Sequence, residues 1–278
     1  MTKDEEKLRR EVTGHDPRAG AGVAHDARVY DYLIGGEGHS EADRTLGDAL
    51  EAAYPGIGVS IRGGRAFLRR AVRFLARDAG LSQFLDIGTG IPSEGSTHEV
   101  AREVRPDSRI VYVDNDPVVG SQSRALLAGR KPGTTDYLDA DLRDPARLLE
   151  KAADTLDPGR PVGVLLIAVL HTIGDADDPY RIVSGLMEAL PGGSYLAVTH
   201  WGPDPARPDP DTKRVAELTR EVSSQPFRVR DDAEVTRFFD GLSLVEPGVV
   251  RVRDWRPDPG DREHEGGITV WGAVGRKP

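Results

Sequence analysis

The stretch FLDIGTG, residues 84–90, is apolar, carries the carboxylate of Asp86, and runs into Gly88 and Gly90. A short apolar run stopped by glycine reads as a strand buried on both faces, as in a parallel sheet. Gly88, Thr89 and Gly90 then form a turn that lets backbone N–H groups approach a ligand closely. A carboxylate beside such a turn needs a polar partner, because an unpaired buried charge is costly.

Working outward, four more runs read as strands: RIVYVD (109–114), TDYLDAD (135–141), VGVLLIAVL (162–170) and SYLAVTH (194–200). Between them lie helix-like stretches at 96–104, 117–129, 144–156 and 178–190. Pro117, Pro145 and Pro179 each follow an aspartate, the pattern of an N-cap with proline in the first turn. Alternating strands and helices predict an α/β fold with a mostly parallel sheet, right-handed crossovers and helices on both faces. Upstream, IRGGRAFLRRAVRFLARDAG (61–80) predicts an amphipathic helix with Phe67, Leu68, Ala71, Val72 and Leu75 on its apolar face. Arg62, Arg65, Arg69 and Arg73 form a stripe on another side, read as a solvated face or, alternatively, as a patch for an anionic partner. After residue 200 come a proline-rich loop, helices at 212–222 and 231–242, and alternating stretches at 242–255 and 267–277 that suit an antiparallel pair at the sheet edge. Residues 1–24 are expected to be a disordered tail, 25–58 an N-terminal cap, and 59–278 the main domain.

Composition limits the function. The net charge of −9 argues against binding nucleic acid or an anionic membrane, since both require phosphate neutralisation. The absence of cysteine excludes disulfides and thiolate metal sites. The longest apolar run, 162–170, is far short of the ~20 residues of a membrane-spanning helix. The charged opening MTKDEEKLRREVTGHD does not read as a signal peptide, so a cytoplasmic location is expected. His15, His25, His98 and Glu99 lack metal-ligand spacing, and no metal is expected.

Ligands of an open parallel sheet sit at the carboxyl ends of its strands. The second strand ends in Asp114, followed by Asn115 and Asp116. A carboxylate there can accept both hydroxyls of a ribose, with Asp116 left to cap the next helix. The third strand ends in DADL, where Asp141 can accept from an adenine amino group and Leu142 can pack on the ring. Three acidic strand ends point to a nucleoside-bearing cofactor. A dinucleotide fingerprint requires a third glycine where Ser93 stands, and Asp86 is ill-placed beside a pyrophosphate but suits a cationic amino-acid group. S-adenosylmethionine is therefore favoured, with NAD as the alternative.

The chain also resembles the actinobacterial S-adenosylmethionine-dependent methyltransferase family known as DUF574. The residues that carry the resemblance are ARVYDYLIGG (27–36), RAFLRRAVRFLA (65–76), QFLDIGTGIPSEGSTHEVA (83–101), VYVDNDPVV (111–119), DADLRDP (139–145) and AVLH (168–171). The resemblance implies a class I methyltransferase fold, a seven-stranded sheet ordered 3-2-1-4-5-7-6 with strand 7 antiparallel. It also implies cofactor roles for Asp86, Gly88, Gly90, Asp114, Asp141 and Ala168. Glu37, Gly38 and His39 replace the family's usual lysine, aspartate and asparagine, and Gly64 stands in place of an asparagine.

For the chemistry, His171 at the end of the fourth strand is the candidate general base, since an unperturbed histidine titrates at about 6.5. His200 and Trp201, closing strand five, and Tyr30 and Tyr32, in the cap, are candidate lining for a substrate pocket. AVLH stands where methylases of nucleic-acid bases carry an N-P-P-aromatic motif, so a small-molecule acceptor is expected. A cofactor-binding protein without turnover is the reading from a different class.

Overall fold

The computed structural model describes residues 24–91, 93–127, 134–203, 227–258 and 268–278. Residues 1–23 of the expected tail and the helix expected at 212–222 lie outside these.

Three helices open the described chain: α1 (Asp26–Ile34), α2 (Glu41–Ala53) and α3 (Ile57–Arg77). The alternation then runs β1 (Gln83–Ile87), α4 (Thr97–Val104), β2 (Arg109–Asp114), α5 (Pro117–Leu127), β3 (Thr135–Asp139), α6 (Pro145–Ala152), β4 (Gly163–Leu166), α7 (Pro179–Glu188) and β5 (Tyr195–Trp201). Finally come α8 (Asp232–Thr236), β6 (Ser243–Leu244), β7 (Val250–Arg251) and β8 (Val270–Arg276). The sheet order is β3-β2-β1-β4-β5-β8-β6, with β7 also paired to β8. Strands β1 to β5 are parallel to their neighbours, and β8 runs antiparallel to β5. This is the expected methyltransferase-like topology.

The reasons are local. β1 and β4 are buried at every residue because helices cover both faces of the sheet, which is why neither alternates polar with apolar. Asp144 and Asp178 accept the N–H groups of Arg147 and Arg181, so α6 and α7 start where aspartate–proline predicted. The apolar face of α3 is that read from the sequence: Phe67, Leu68, Ala71, Val72 and Leu75 are at most 1% exposed. Each of the larger of these side chains contributes roughly 1.5–3 kcal/mol of burial. On the opposite face of the sheet, α6 and α7 enclose a second cluster around Leu148, Leu166, Val183 and Leu186.

Two expectations change. Strand four stops at Leu166 rather than 170, because Ala168 adopts φ 55 and Leu170–Thr172 form a 3-10 turn. The stretch 242–255 is no continuous strand: β6 and β7 are two residues each, and a 3-10 turn spans Val252–Asp254. The buried Arg70 guanidinium holds that turn to α3 by donating to the carbonyls of Val252 and Trp255. In addition, the arginines of α3 are not merely solvated. Arg62 donates to the Leu33 carbonyl, Arg65 to Ser93 Oγ, and Arg73 pairs with Asp258 at 2.7 Å.

β8 passes close beneath α3, and glycine makes this possible. A Cβ at Gly272 would lie 2.9 Å from the Phe67 ring, whereas one at Gly64, inside α3, would meet nothing within 4 Å. Gly272→Ala is expected to lower stability by about 1–3 kcal/mol through overpacking. Gly64→Ala should be neutral, or raise stability by up to ~1 kcal/mol, because alanine is the better helix former. Urea unfolding midpoints of both variants check the pair, and equal midpoints would contradict this packing.

Candidate functional site

The acids expected at the strand ends do come together. β1, β2 and β3 are neighbours, so their carboxyl ends open on one edge of the sheet. Asp114 accepts the Gly90 N–H at 2.9 Å on one oxygen and the Asp116 N–H at 3.1 Å on the other. Asp116 takes the capping role, accepting the Val118 N–H at 2.8 Å. Asn115 donates to Asp141 at 3.1 Å, joining the ends of β2 and β3. Asp141 also accepts the Arg143 backbone N–H at 2.9 Å and remains partly exposed. Asp86, 5% exposed, accepts from Thr97 Oγ1 at 2.6 Å. Gly88 and Gly90 both hold φ values only glycine takes easily, 71° and 64°. A Cβ on Gly88 would strike Val169 at 2.6 Å, so that glycine is needed for packing, while Gly90 faces open space.

Burial shapes the electrostatics. Desolvation pushes both Asp86 and Asp114 up to about 6, although Thr97 and Arg65 oppose the rise for Asp86 and the Gly90 and Asp116 amides for Asp114. Both are carboxylates kept short of solvent, and neither has an ion-pair partner among the described residues.

The N-terminal cap meets this edge. Tyr30 on α1 feels the charges of Asp86 and Arg65, and burial raises its phenol above its ordinary value. His25, just before α1, approaches Asp116 at 3.3 Å. Beside the acids lies a cavity lined by Tyr30, Ala168, Thr199, His200 and Trp201 together with Ser60, Ile61, Gly64 and Val270. Ala168 is held in its strained left-handed conformation by donating its N–H to Thr199 Oγ1 at 2.9 Å.

Three expected residues fall elsewhere. Tyr32 does not line the cavity: two residues from Tyr30, it points off another side of α1, donates to Asp48 at 2.7 Å and lies over Gly47. Leu142 is only 4% exposed and sits in the core with Leu148, leaving little surface for a ring. His171 lies behind the cavity wall, its ring 5.2 Å from Phe227 and 6.3 Å from Trp201, with Nδ1 enclosed and unbonded. Burial, then the nearby His200 and Arg230, lower His171 to about 3, so it lacks the strength of a general base at neutral pH.

Arg230 is a residue the sequence reading missed. Fully buried, it donates to the Leu170 and Ile173 carbonyls, to His200 Nε2 at 2.9 Å, and to Asp175 at 2.7 Å. A guanidinium can only donate, so His200 Nε2 accepts and its Nδ1–H donates to the Trp201 carbonyl at 2.9 Å. Both nitrogens of His200 are thereby used, and burial holds it neutral, lowered to about 4. Among the described residues no group of three histidine or acidic side chains could hold a metal ion, and no helix is long and apolar enough to cross a membrane.

The geometry can be compared with known proteins. The model of the S-adenosyl methyltransferase family matches residues 13–278. The chain belongs to that family. Its fold is close to a DUF574-family protein from Streptomyces avermitilis, with a TM-score of 0.83 and 45% identity, covering 92% of this chain and 98% of that one. A candidate methyltransferase from Thermobifida fusca is similar at a TM-score of 0.81 and 39% identity, covering 94% and 98%. An O-methyltransferase family protein from Burkholderia thailandensis shares the fold alone, at 0.50 and 14%, covering 75% and 55%. No curated protein matches the chain. The protein is a methyltransferase that uses S-adenosylmethionine, and the dinucleotide alternative falls.

A carboxylate titrating near 6 is lost to a cationic ligand in mild acid. Donor affinity measured by calorimetry is expected to fall by about tenfold from about pH 7 to about pH 5.5 as Asp86 and Asp114 take up protons. Asp86→Asn should flatten part of that slope, and an unaltered chain with no slope would mean that neither carboxylate meets the donor.

Proposed function

We propose that the chain methylates a small, uncharged acceptor through a neutral nitrogen, with Tyr30 orienting that nucleophile. The observation that carries this reading is the lining of the cavity between α1, α3 and β5, which contains no ionised side chain. Most of its polar groups are already engaged: Ser60 donates to the Ile268 carbonyl at 2.9 Å, Thr199 holds Ala168, and His200 is saturated by Arg230 and Trp201. The Tyr30 hydroxyl and the Trp201 indole N–H have no hydrogen-bond partner among the described residues. They remain for a ligand.

The cofactor side of the reading rests on Asp86, Gly88, Thr89, Gly90, Asp114, Asn115, Asp141 and Ala168. The fit is chemical. Gly90 leaves open space where a side chain would project, the spare lone pairs of Asp114 suit ribose hydroxyls, and Asp86 is a desolvated carboxylate facing no cation at contact distance. When bound, the sulfonium supplies an electrophilic methyl group with a good leaving group behind it. The chain's part is alignment and the exclusion of water. Alignment alone is worth something like 7–11 kcal/mol.

The weakness of His171 and His200 as bases supports a nitrogen acceptor. With no proton acceptor of ordinary strength lining the cavity, a nucleophile with an available lone pair has the advantage over an alcohol. Tyr30, whose phenol is raised and stays protonated, orients through a hydrogen bond and does not take the proton.

The test is release of S-adenosylhomocysteine across a panel of aromatic amines, nitrogen heterocycles, alcohols, nucleic acids and peptides. Turnover is expected with the nitrogen compounds. Tyr30→Phe should reduce kcat/KM by roughly 10- to 100-fold with donor affinity unchanged within about twofold. Turnover confined to alcohols or macromolecules would refute the proposed acceptor. Silence across the panel with intact donor binding would restore the reading without turnover.

A further inference from the structure

Arg65 and Asp86 carry opposite charges into the same slot and yet do not pair. Arg65 follows Gly64, a cavity residue, along α3 and is half-buried; Asp86 is buried at the end of β1. Tyr30 and Tyr112 each feel both charges, so the two groups lie within electrostatic reach of the same two phenols. Opposite charges this near would ordinarily close on each other, since contact recovers part of the desolvation cost.

Each is held by a separate hydroxyl. Thr97 Oγ1 donates to Asp86 at 2.6 Å, and the Arg65 guanidinium donates to Ser93 Oγ at 2.9 Å. Thr97 belongs to the first turn of α4, which Glu99 fixes by accepting the Gly95 and Ser96 N–H groups. Ser93 lies in the loop that follows Gly88 and Gly90. That single hydrogen bond uses one of the five N–H groups of the guanidinium, and Arg65 has no carboxylate partner among the described residues. The neighbouring arginines differ: Arg73 has Asp258, and Arg62 has the Leu33 carbonyl.

We propose that Arg65 receives the α-carboxylate of the bound cofactor, so that Arg65 and Asp86 together form a receptor for a zwitterionic α-amino acid, with Ser93 positioning the guanidinium. The proposal rests on the cofactor reading above and adds the second half of the methionyl site. An α-amino acid bears an ammonium and a carboxylate on one carbon, so it can bridge two fixed opposite charges that do not reach each other. A guanidinium suits the carboxylate in particular, because its planar fork matches two oxygens at once.

The experiment is calorimetry on the full chain with three probes: S-adenosylhomocysteine, S-adenosyl-3-thiopropylamine, which keeps the ammonium and lacks the carboxylate, and 5′-methylthioadenosine, which lacks both. Arg65→Met is expected to weaken S-adenosylhomocysteine by about 10- to 100-fold, the worth of a charged hydrogen-bonded contact. It should leave the other two probes within about twofold. Arg65→Lys should lie between, retaining charge without the fork. Ser93→Ala should weaken S-adenosylhomocysteine alone, by a few fold. Equal loss of all three probes in Arg65→Met would reduce Arg65 to a structural role and overturn the proposal. Unchanged binding of all three would overturn it too. If the unaltered chain binds none of the probes, the cofactor reading itself fails; if it binds them equally, only the carboxylate receptor does.

Discussion

The Gly90 amide donates to the Asp114 carboxylate at 2.9 Å, and this contact makes one slot out of two strand ends. Gly88 and Thr89 donate to the Val113 carbonyl, so the whole turn after β1 is fastened to the end of β2. The fastening directs the turn's backbone while leaving the carboxylate spare lone pairs for a ligand. It also takes Asp114 out of water, and the resulting strain on its charge is relieved by a partner that donates hydrogen bonds. A glycine turn without this tie could adopt many shapes, and binding would then have to supply the ordering entropy.

The loops after β4 and β5 are coupled by a different device. Arg230 joins the 170–175 segment to His200 by donating to two carbonyls, a ring nitrogen and Asp175. A buried ionic group is weak grounds for stability, since its desolvation offsets most of its attraction. What it supplies here is geometry: it fixes the His200 tautomer, and Tyr180 and Phe238 pack against its plane. The cavity wall is held neutral as a result.

Much of this was legible in the sequence, for definite reasons. β1 and β2 are uninterrupted apolar runs with acids at fixed places, so the period alone located Asp86 and Asp114. Their being neighbours followed from the alternation of strand and helix. Position around a helix or turn was less legible. Tyr30 and Tyr32 looked equivalent, yet the helical turn separates them onto different sides. His171 continued an apolar run that the left-handed Ala168 breaks, placing the ring behind the wall. β6 and β7 were read as one strand, because alternation does not show that each takes its pairing only from β8. Arg65 and Arg230 make their decisive contacts 28 to 60 residues away along the chain, and no local pattern marks such partners.

The division of charge between slot and cavity suits the proposed transfer to a neutral nitrogen. Transfer of a methyl group from a sulfonium to a neutral nitrogen conserves one positive charge and spreads it over donor and acceptor at the halfway point. Water solvates the concentrated charge of the reactant better than the dispersed charge, so removing water favours the dispersed state. In the proposed site the fixed charges would sit at the far end of the cofactor, binding and orienting it without following the reaction, and the wall around the moving methyl group is best left without them. A basic histidine in that wall would carry a proton near neutrality and repel the sulfonium. Burial and the Arg230 guanidinium lower His200 in the wall and His171 behind it, so neither histidine sets a proton against the sulfonium.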